Sequence, residues 1–270
     1  MSDIAERETT GAPVLPGEAG HRAVTVPGTV EAGSARIRAY SGGVLVADAD
    51  PPLLVWEHRF YPQYFFAPDD LWAGLRPAGQ GPRSRSLGVS ELFDVVVGDT
   101  VLAGAARRYP EAPVEALRDA VTLDWAALDT WLAEEEVIHT HARDPYVRVD
   151  AMPSARHVRV VVAGEVVAES RRPVVLVQTG QPPRYYLPRV DVRMDLLRPT
   201  ETVSYCAYKG TAAYWSVAAG GKVLRDVVWG YDTPLREGLR IAGMICFWPE
   251  KNADLEVYVD GDPAEPVRRR

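Results

Sequence analysis

Apolar positions along this chain alternate more often than they recur at helical spacing. Val158–Val162 and Glu165–Ala168 are runs rich in β-branched residues on either side of Ala163-Gly164, the pattern of a tight hairpin. Tyr214–Val217 and Lys222–Trp229 flank Ala218-Ala219-Gly220-Gly221 in the same way, and Ser41-Gly42-Gly43 and Gly98-Asp99 mark similar turns earlier in the chain. Two segments carry near-helical spacing instead, each opened by a proline. Leu117, Val121, Leu128 and Leu132 follow Pro113, while Leu235, Leu239, Ala242 and Ile245 follow Pro234. A closing strand is expected after each, over Val137–His141 and Leu255–Val259. Short strands, one late α-helix per half and no βαβ rhythm predict a mainly β fold of antiparallel strands.

The two halves are versions of one unit. Residues 36–70 align with residues 157–191 at a constant shift of 121, keeping Arg38/Arg159, Gly43/Gly164, Pro52/Pro173, Tyr64/Tyr185 and Asp70/Asp191. Tyr109 answers Tyr231, and Trp125 answers Phe247, at a shift of 122. The expected organisation is a disordered tail over residues 1–33, a first copy over 34–142, an ordered connector over 143–156, a second copy over 157–262 and a tail over 263–270. The connector is rich in hydrogen-bonding groups (Arg143, Asp144, Tyr146, Arg148, Asp150), which predicts that it packs between the copies.

Composition narrows the partners. With 30 Lys and Arg against 37 Asp and Glu the net charge is −7, which argues against a nucleic-acid binder working by bulk attraction. No apolar run reaches the roughly 18–20 residues of a membrane span, and the first residues lack the order of a signal peptide, so a soluble cytoplasmic protein is expected. Two cysteines, Cys206 and Cys246, suffice neither for a disulfide framework nor for a four-cysteine zinc site. His139 and His141 with Asp144 could begin a metal site but have no evident third soft ligand, so no metal and no cofactor are expected.

Candidate chemistry concentrates in the second copy. If the chain is extended after Pro188, Arg189, Asp191, Arg193 and Asp195 share one face. That row is either a salt-bridged solvent surface or a polar wall that holds a charged ligand. The first copy has Pro68, Asp70, Trp72 and Gly74 at these places, so only the aspartate is common to both. Cys206 near Lys209 is either a nucleophile or a small buried hydrophobe, and Lys209 beside Gly210 is an anion-binding candidate. Tyr185, Tyr208, Trp229 and Tyr231 could wall an aromatic pocket or belong to the core.

The stretches Arg184–Arg193, Cys206-Ala207-Tyr208-Lys209-Gly210 and Val228–Pro234 resemble the bacterial domain of unknown function 427 (DUF427), as do the connector and the start of the second copy. The resemblance covers roughly residues 35–262. It implies two tandem β-tent domains, the first degenerate, with Ser86-Leu87-Gly88 where the second has Tyr208-Lys209-Gly210. Some relatives of that fold hold zinc on paired CxxC motifs, which this chain lacks. The functional expectation is a small-molecule site in the second copy for an anionic or carbonyl-bearing group. Arg189, Lys209 and Arg193 would hold the group, Asp191 would orient them, and the four rings would form walls. An enzyme would use Cys206 or Asp191 in catalysis; the rival is a non-catalytic binding or scaffold protein with the first copy as a docking surface.

Overall fold

In the computed structural model, which describes residues 27–264 apart from 59 and 60, the glycine-marked turns become antiparallel hairpins. The chain divides into two units between Tyr146 and Val147. The first comprises β1 (Thr29–Ala32), β2 (Ile37–Ser41), β3 (Val44–Ala49), β4 (Leu53–His58), β5 (Tyr61–Phe66), β6 (Gly74–Ser84), β7 (Gly88–Val97), β8 (Thr100–Arg108), β9 (Val121–Leu123), β10 (Thr130–Ala133) and β11 (Glu136–Val137). They form a seven-stranded sheet in the order β1-β4-β5-β9-β8-β7-β6 and a four-stranded sheet in the order β11-β10-β2-β3.

The second unit repeats this strand by strand. It has β12 (Val149–Pro153), β13 (Val158–Val162), β14 (Glu165–Ser170), β15 (Val174–Gln178), β16 (Arg184–Leu187), β17 (Leu197–Cys206), β18 (Gly210–Ala219), β19 (Lys222–Gly230), β20 (Ile245–Phe247), β21 (Leu255–Val259) and β22 (Asp262–Pro263). The orders β12-β15-β16-β20-β19-β18-β17 and β14-β13-β21-β22 reproduce those of the first unit. Alternation explains the core. In the second unit Val158, Val160 and Val162 point from the small sheet onto Leu187, Val217, Val228 and Phe247 of the large one. In the first, Ile37 and Ala39 face Trp56, Phe66 and Val95. Each fully buried side chain of this size stabilises the fold by roughly 1.5–3 kcal/mol. The opposite face of each large sheet carries a second apolar cluster, built on Phe65 in one unit and on Tyr186 in the other.

Several expectations need correction. The late α-helices are short 3-10 turns, Glu115–Leu117 and Arg236–Ile241. Val121 and Ile245 belong to strands β9 and β20, so their helical spacing is coincidental. Gly238 and the positive φ of Gly243 further limit the second turn: a side chain at Gly238 would meet Pro234 at 2.9 Å. The closing strand of the first unit is β10, not Val137–His141, and His139 and His141 lie beyond the last strand. Register places Leu123, not Trp125, at the position of Phe247, a shift of 124, because β9 and β20 pair identically with β5 and β16.

The segments read as tails also contribute strands. Thr29–Ala32 pairs with β4, and Pro263 pairs with Tyr258. Expectations for residues 1–26 and 265–270 lie outside the described residues. The connector is shared out. Asp144 accepts the Trp56 indole N–H at 3.0 Å, and the Tyr146 hydroxyl donates to Glu31 at 2.6 Å, both within the first unit. From Val149 the chain is the edge strand β12, paired with β15. Among the described residues no helix is long and apolar enough to cross a membrane, and no group of three or more His, Cys, Asp or Glu is placed to hold a metal ion.

Candidate functional site

The hollow nearest the sequence-predicted residues lies against the Tyr186 face of the second unit's large sheet, with a volume of about 250 Å³. Strand alternation selects its walls. Leu176 and Gln178 of β15, Arg184 and Tyr186 of β16, Tyr214 of β18 and Trp229 of β19 all turn to this side. Tyr231 and Trp248 follow the ends of β19 and β20 and add two more rings.

Lys209 enters from the turn between β17 and β18. Gly210 follows it at φ +89°, a conformation glycine adopts without strain, and the Leu235 N–H donates to the Lys209 carbonyl at 3.0 Å. This fixes the backbone and directs the ammonium toward the Gln178 side-chain oxygen, its hydrogen-bond acceptor. Among the described residues no carboxylate pairs with Lys209. The other cation is neutralised: Arg184 donates to both Glu250 oxygens at 2.9 and 2.8 Å while its guanidinium lies 5.7 Å from the Trp229 ring centre. The Trp229 indole N–H donates to the Tyr186 hydroxyl at 3.1 Å, and Trp248 meets Trp229 edge-on at 6.0 Å.

Burial disfavours ionisation of two phenols and a thiol here. It pushes the Tyr186 and Tyr231 phenols well above the ordinary tyrosine value. It also pushes the Cys246 thiol up to about 12, outweighing the opposing pull of Arg184 and Lys209. Cys246 is thus a packing residue beneath the rings. Cys206, the sequence candidate, ends β17 half-buried and does not line the hollow.

Of the residues singled out in the sequence, Lys209, Trp229 and Tyr231 meet in this hollow. The others do not. Tyr185 is adjacent in sequence to Tyr186 and so faces the opposite side, packing against the inter-sheet core. Tyr208 is buried in the turn without reaching the hollow. The arginine–aspartate row is not an extended face. Pro188 starts a 3-10 turn over Arg189–Asp191, closed by an Asp191 N–H bond to the Pro188 carbonyl at 2.9 Å, and a second turn covers Met194–Leu196. Of the row only Arg193 and Asp195 still meet, and Arg189 and Asp191 take partners outside it. Arg189 pairs with Asp232 at 2.6 Å, Arg193 with Asp195 at 2.9 Å, and Asp191 with Arg172 at 2.9 Å and the Ser170 hydroxyl at 2.7 Å. Arg172, then Ser170, hold the Asp191 carboxyl below the usual carboxylate range against the opposing effect of burial.

Sequence reasoning passed over Gln178, Arg184, Tyr186, Tyr214 and Trp248. Alternation within β15 and β16 could have found the first three, but Trp248 is visible only once the register of β20 is known.

The first unit differs at the position of the lysine. Leu87 takes the place of Lys209, with Gly88 at φ +92° matching Gly210. Leu87 is 1% exposed and packs with Val55, Phe65 and Leu117.

A search of curated proteins gave no match. The family model described as a domain of unknown function (DUF427) matches residues 29–134 and again residues 150–261, the span of one sheet pair in each case. With both units matched, the chain belongs to the DUF427 family as a two-copy member.

Proposed function

We propose that the second unit binds a small molecule with an apolar, ring-like body and an anionic or carbonyl-bearing group. Lys209 takes the polar group, and Tyr186, Trp229, Tyr231 and Trp248 enclose the body. One observation carries the reading: an ammonium stands in a ring-lined hollow with a neutral amide as its hydrogen-bond partner. An anion there gains a charge-assisted bond without breaking an existing ion pair. Gln178, released or retained, offers a second polar contact.

Phenylpyruvate carries a carboxylate, a carbonyl and a ring, which makes it a suitable probe. Titrating it into the protein should move the indole resonances of Trp229 and Trp248 saturably. Lys209→Leu should weaken that binding by about tenfold or more, the equivalent of one hydrogen bond to a charged group. The variant should fold, since Leu87 already occupies the matching place in the first unit. Equal binding by Lys209→Leu and the wild type would remove the basis of the proposal.

A further inference from the structure

The first unit holds a hollow of about 280 Å³ where the end of β9 and the strand β10 bring the two sheets together; of its lining, Gln63 and Arg107 stand at the positions of Arg184 and Trp229, while Tyr64, Trp125 and Trp131 have no counterpart in the second unit's site. The corresponding space in the second unit is almost closed, at about 30 Å³. Strand order and the pairing of β9 and β10 match those of β20 and β21, so the side chains on these strands can be compared directly. Trp131 of β10 stands where the second unit has Val257, because each pairs with the matching residue of the neighbouring strand, Ala39 or Val160. Trp125 opens a 3-10 turn where the second unit has Pro249.

These substitutions build a ring wall. Trp125 and Trp131 stack face to face, with centres 4.3 Å apart and planes 7° apart, and Tyr64 lies 6.4 Å from Trp131 at 27°. Trp131 is buried and its indole N–H donates to the Trp125 carbonyl at 3.3 Å, whereas Trp125 is only half-buried. On another side of the hollow, Tyr61 meets His141 edge-on at 4.8 Å. His141 Nδ1 lies 2.7 Å from the Ala142 carbonyl, which can only accept, so Nδ1 carries the proton.

The charged side chains of the lining are Arg107 and Asp124, beside the imidazoles of His58 and His141. Asp124 is already engaged as a cap, accepting the Ala126 N–H at 3.1 Å. Arg107 and the Glu57 carboxylate both act on the Tyr109 phenol, and among the described residues Arg107 forms no ion pair. A fold requirement for the two stacked tryptophans here would have to be met in both units. The second unit keeps rings at Tyr185 and Phe247 and a guanidinium, Arg184, that is paired with Glu250, but it has Pro249 and Val257 at the two tryptophan positions.

From this we propose that the first unit carries its own small-molecule site, for a planar aromatic acid. The ring of the ligand stacks against Trp125 and its neighbours, and its carboxylate pairs with Arg107. The proposal is independent of the Lys209 reading, since the two hollows lie in different units and share no residue.

Three probes with one ring and different charge test it: indole-3-carboxylate, indole and tryptamine. Each is titrated into the full chain while the Trp125 and Trp131 indole resonances are followed. Indole-3-carboxylate should shift them saturably and bind about tenfold more tightly than indole, with tryptamine no better than indole. Arg107→Gln should bring indole-3-carboxylate down to the level of indole, and Trp125→Pro, the residue of the second unit, should abolish both. Lys209→Leu should leave these shifts untouched. Tighter binding of tryptamine than of indole-3-carboxylate would overturn the charge assignment. Absence of any saturable shift at Trp125 and Trp131 in the wild type would overturn the site itself, whatever the variants do.

Discussion

Tyr186→Phe isolates one hydrogen bond in the floor of the second-unit hollow. The first unit has Phe65 at this position, fully buried in the same strand pairing, so a phenylalanine ring fits the backbone without rearrangement. The substitution therefore leaves ring packing intact and removes the hydroxyl that accepts the Trp229 indole N–H at 3.1 Å. Tyr186 is 1% exposed and Trp229 is 9% exposed, so the stranded N–H is largely out of reach of bulk water. Leaving a buried donor unpaired costs about 1–3 kcal/mol, more than the roughly 1 kcal/mol net contribution of an average hydrogen bond. The expected loss is in that range, read from urea unfolding followed by tryptophan fluorescence, with the denaturant slope unchanged. A cycle with Trp229→Phe makes the argument strict. Once the indole donor is absent, Tyr186→Phe should cost no more than about 0.5 kcal/mol. A loss below about 0.5 kcal/mol in the wild-type background would mean that water in the hollow already serves the indole, and the bond would carry no special weight.

Two further outcomes follow from the same geometry. Cys246, with its thiol pushed up to about 12, should react with iodoacetamide near pH 8 at least about a thousandfold more slowly than an ordinary cysteine, and become reactive on unfolding; mass spectrometry of the labelled peptides reads this directly. Asp191 is held below the usual carboxylate range by Arg172 and Ser170, so its contribution to stability is present above that range and is lost as pH falls through its lowered folded value. Asp191→Asn should accordingly flatten the acid side of the stability–pH curve below about pH 4, and an unchanged curve would show that the Arg172 pair is too solvated to matter.

Much of the architecture was legible because period-2 alternation and glycine turns are local signals. The hairpins at Ala163-Gly164 and Gly220-Gly221 stand where their sequence places them. The duplication was legible through shared prolines, glycines and one tyrosine, each held by the backbone. The late helices were not, because a spacing of three and four residues also arises when a 3-10 turn is followed by a buried strand, as from Leu117 to Val121. The site was half legible. Lys209, Trp229 and Tyr231 lie in or beside strands whose alternation could be followed, whereas Arg189 and Arg193 were placed by assuming an extended chain beyond Pro188. A proline with an aspartate three residues on is as good a turn former as a strand opener, and local i to i+3 bonding prevailed. Asp70 and Asp191 share a position but not a role: the Asp70 carboxylate accepts the Ala67 N–H at 3.2 Å within its own turn, while Asp191 reaches out to Ser170 and Arg172. The shared residue has a different structural partner in each unit, and its identity says nothing about a ligand.

The duplication is most informative where the copies disagree. Two backbones with one strand order and matching register around a position set similar packing demands there, so a residue that differs in kind between them points to something other than the fold. Lys209 against Leu87 is such a position, and Trp131 against Val257 is another. At the first pair the second unit is open and polar while the first is filled by a buried leucine; at the second pair the first unit is open and ring-walled while the second is closed by valine. Drift alone would erode both hollows in the copy released from selection and leave one unit plain throughout. Reciprocal opening, with Lys209 at one hollow and Arg107 at the other forming no ion pair among the described residues, is the pattern expected if the two proposed sites take different ligands. Exchanging the pairs, Leu for Lys209 in one unit and Val for Trp131 in the other, should then remove two separate binding activities from a chain that still folds.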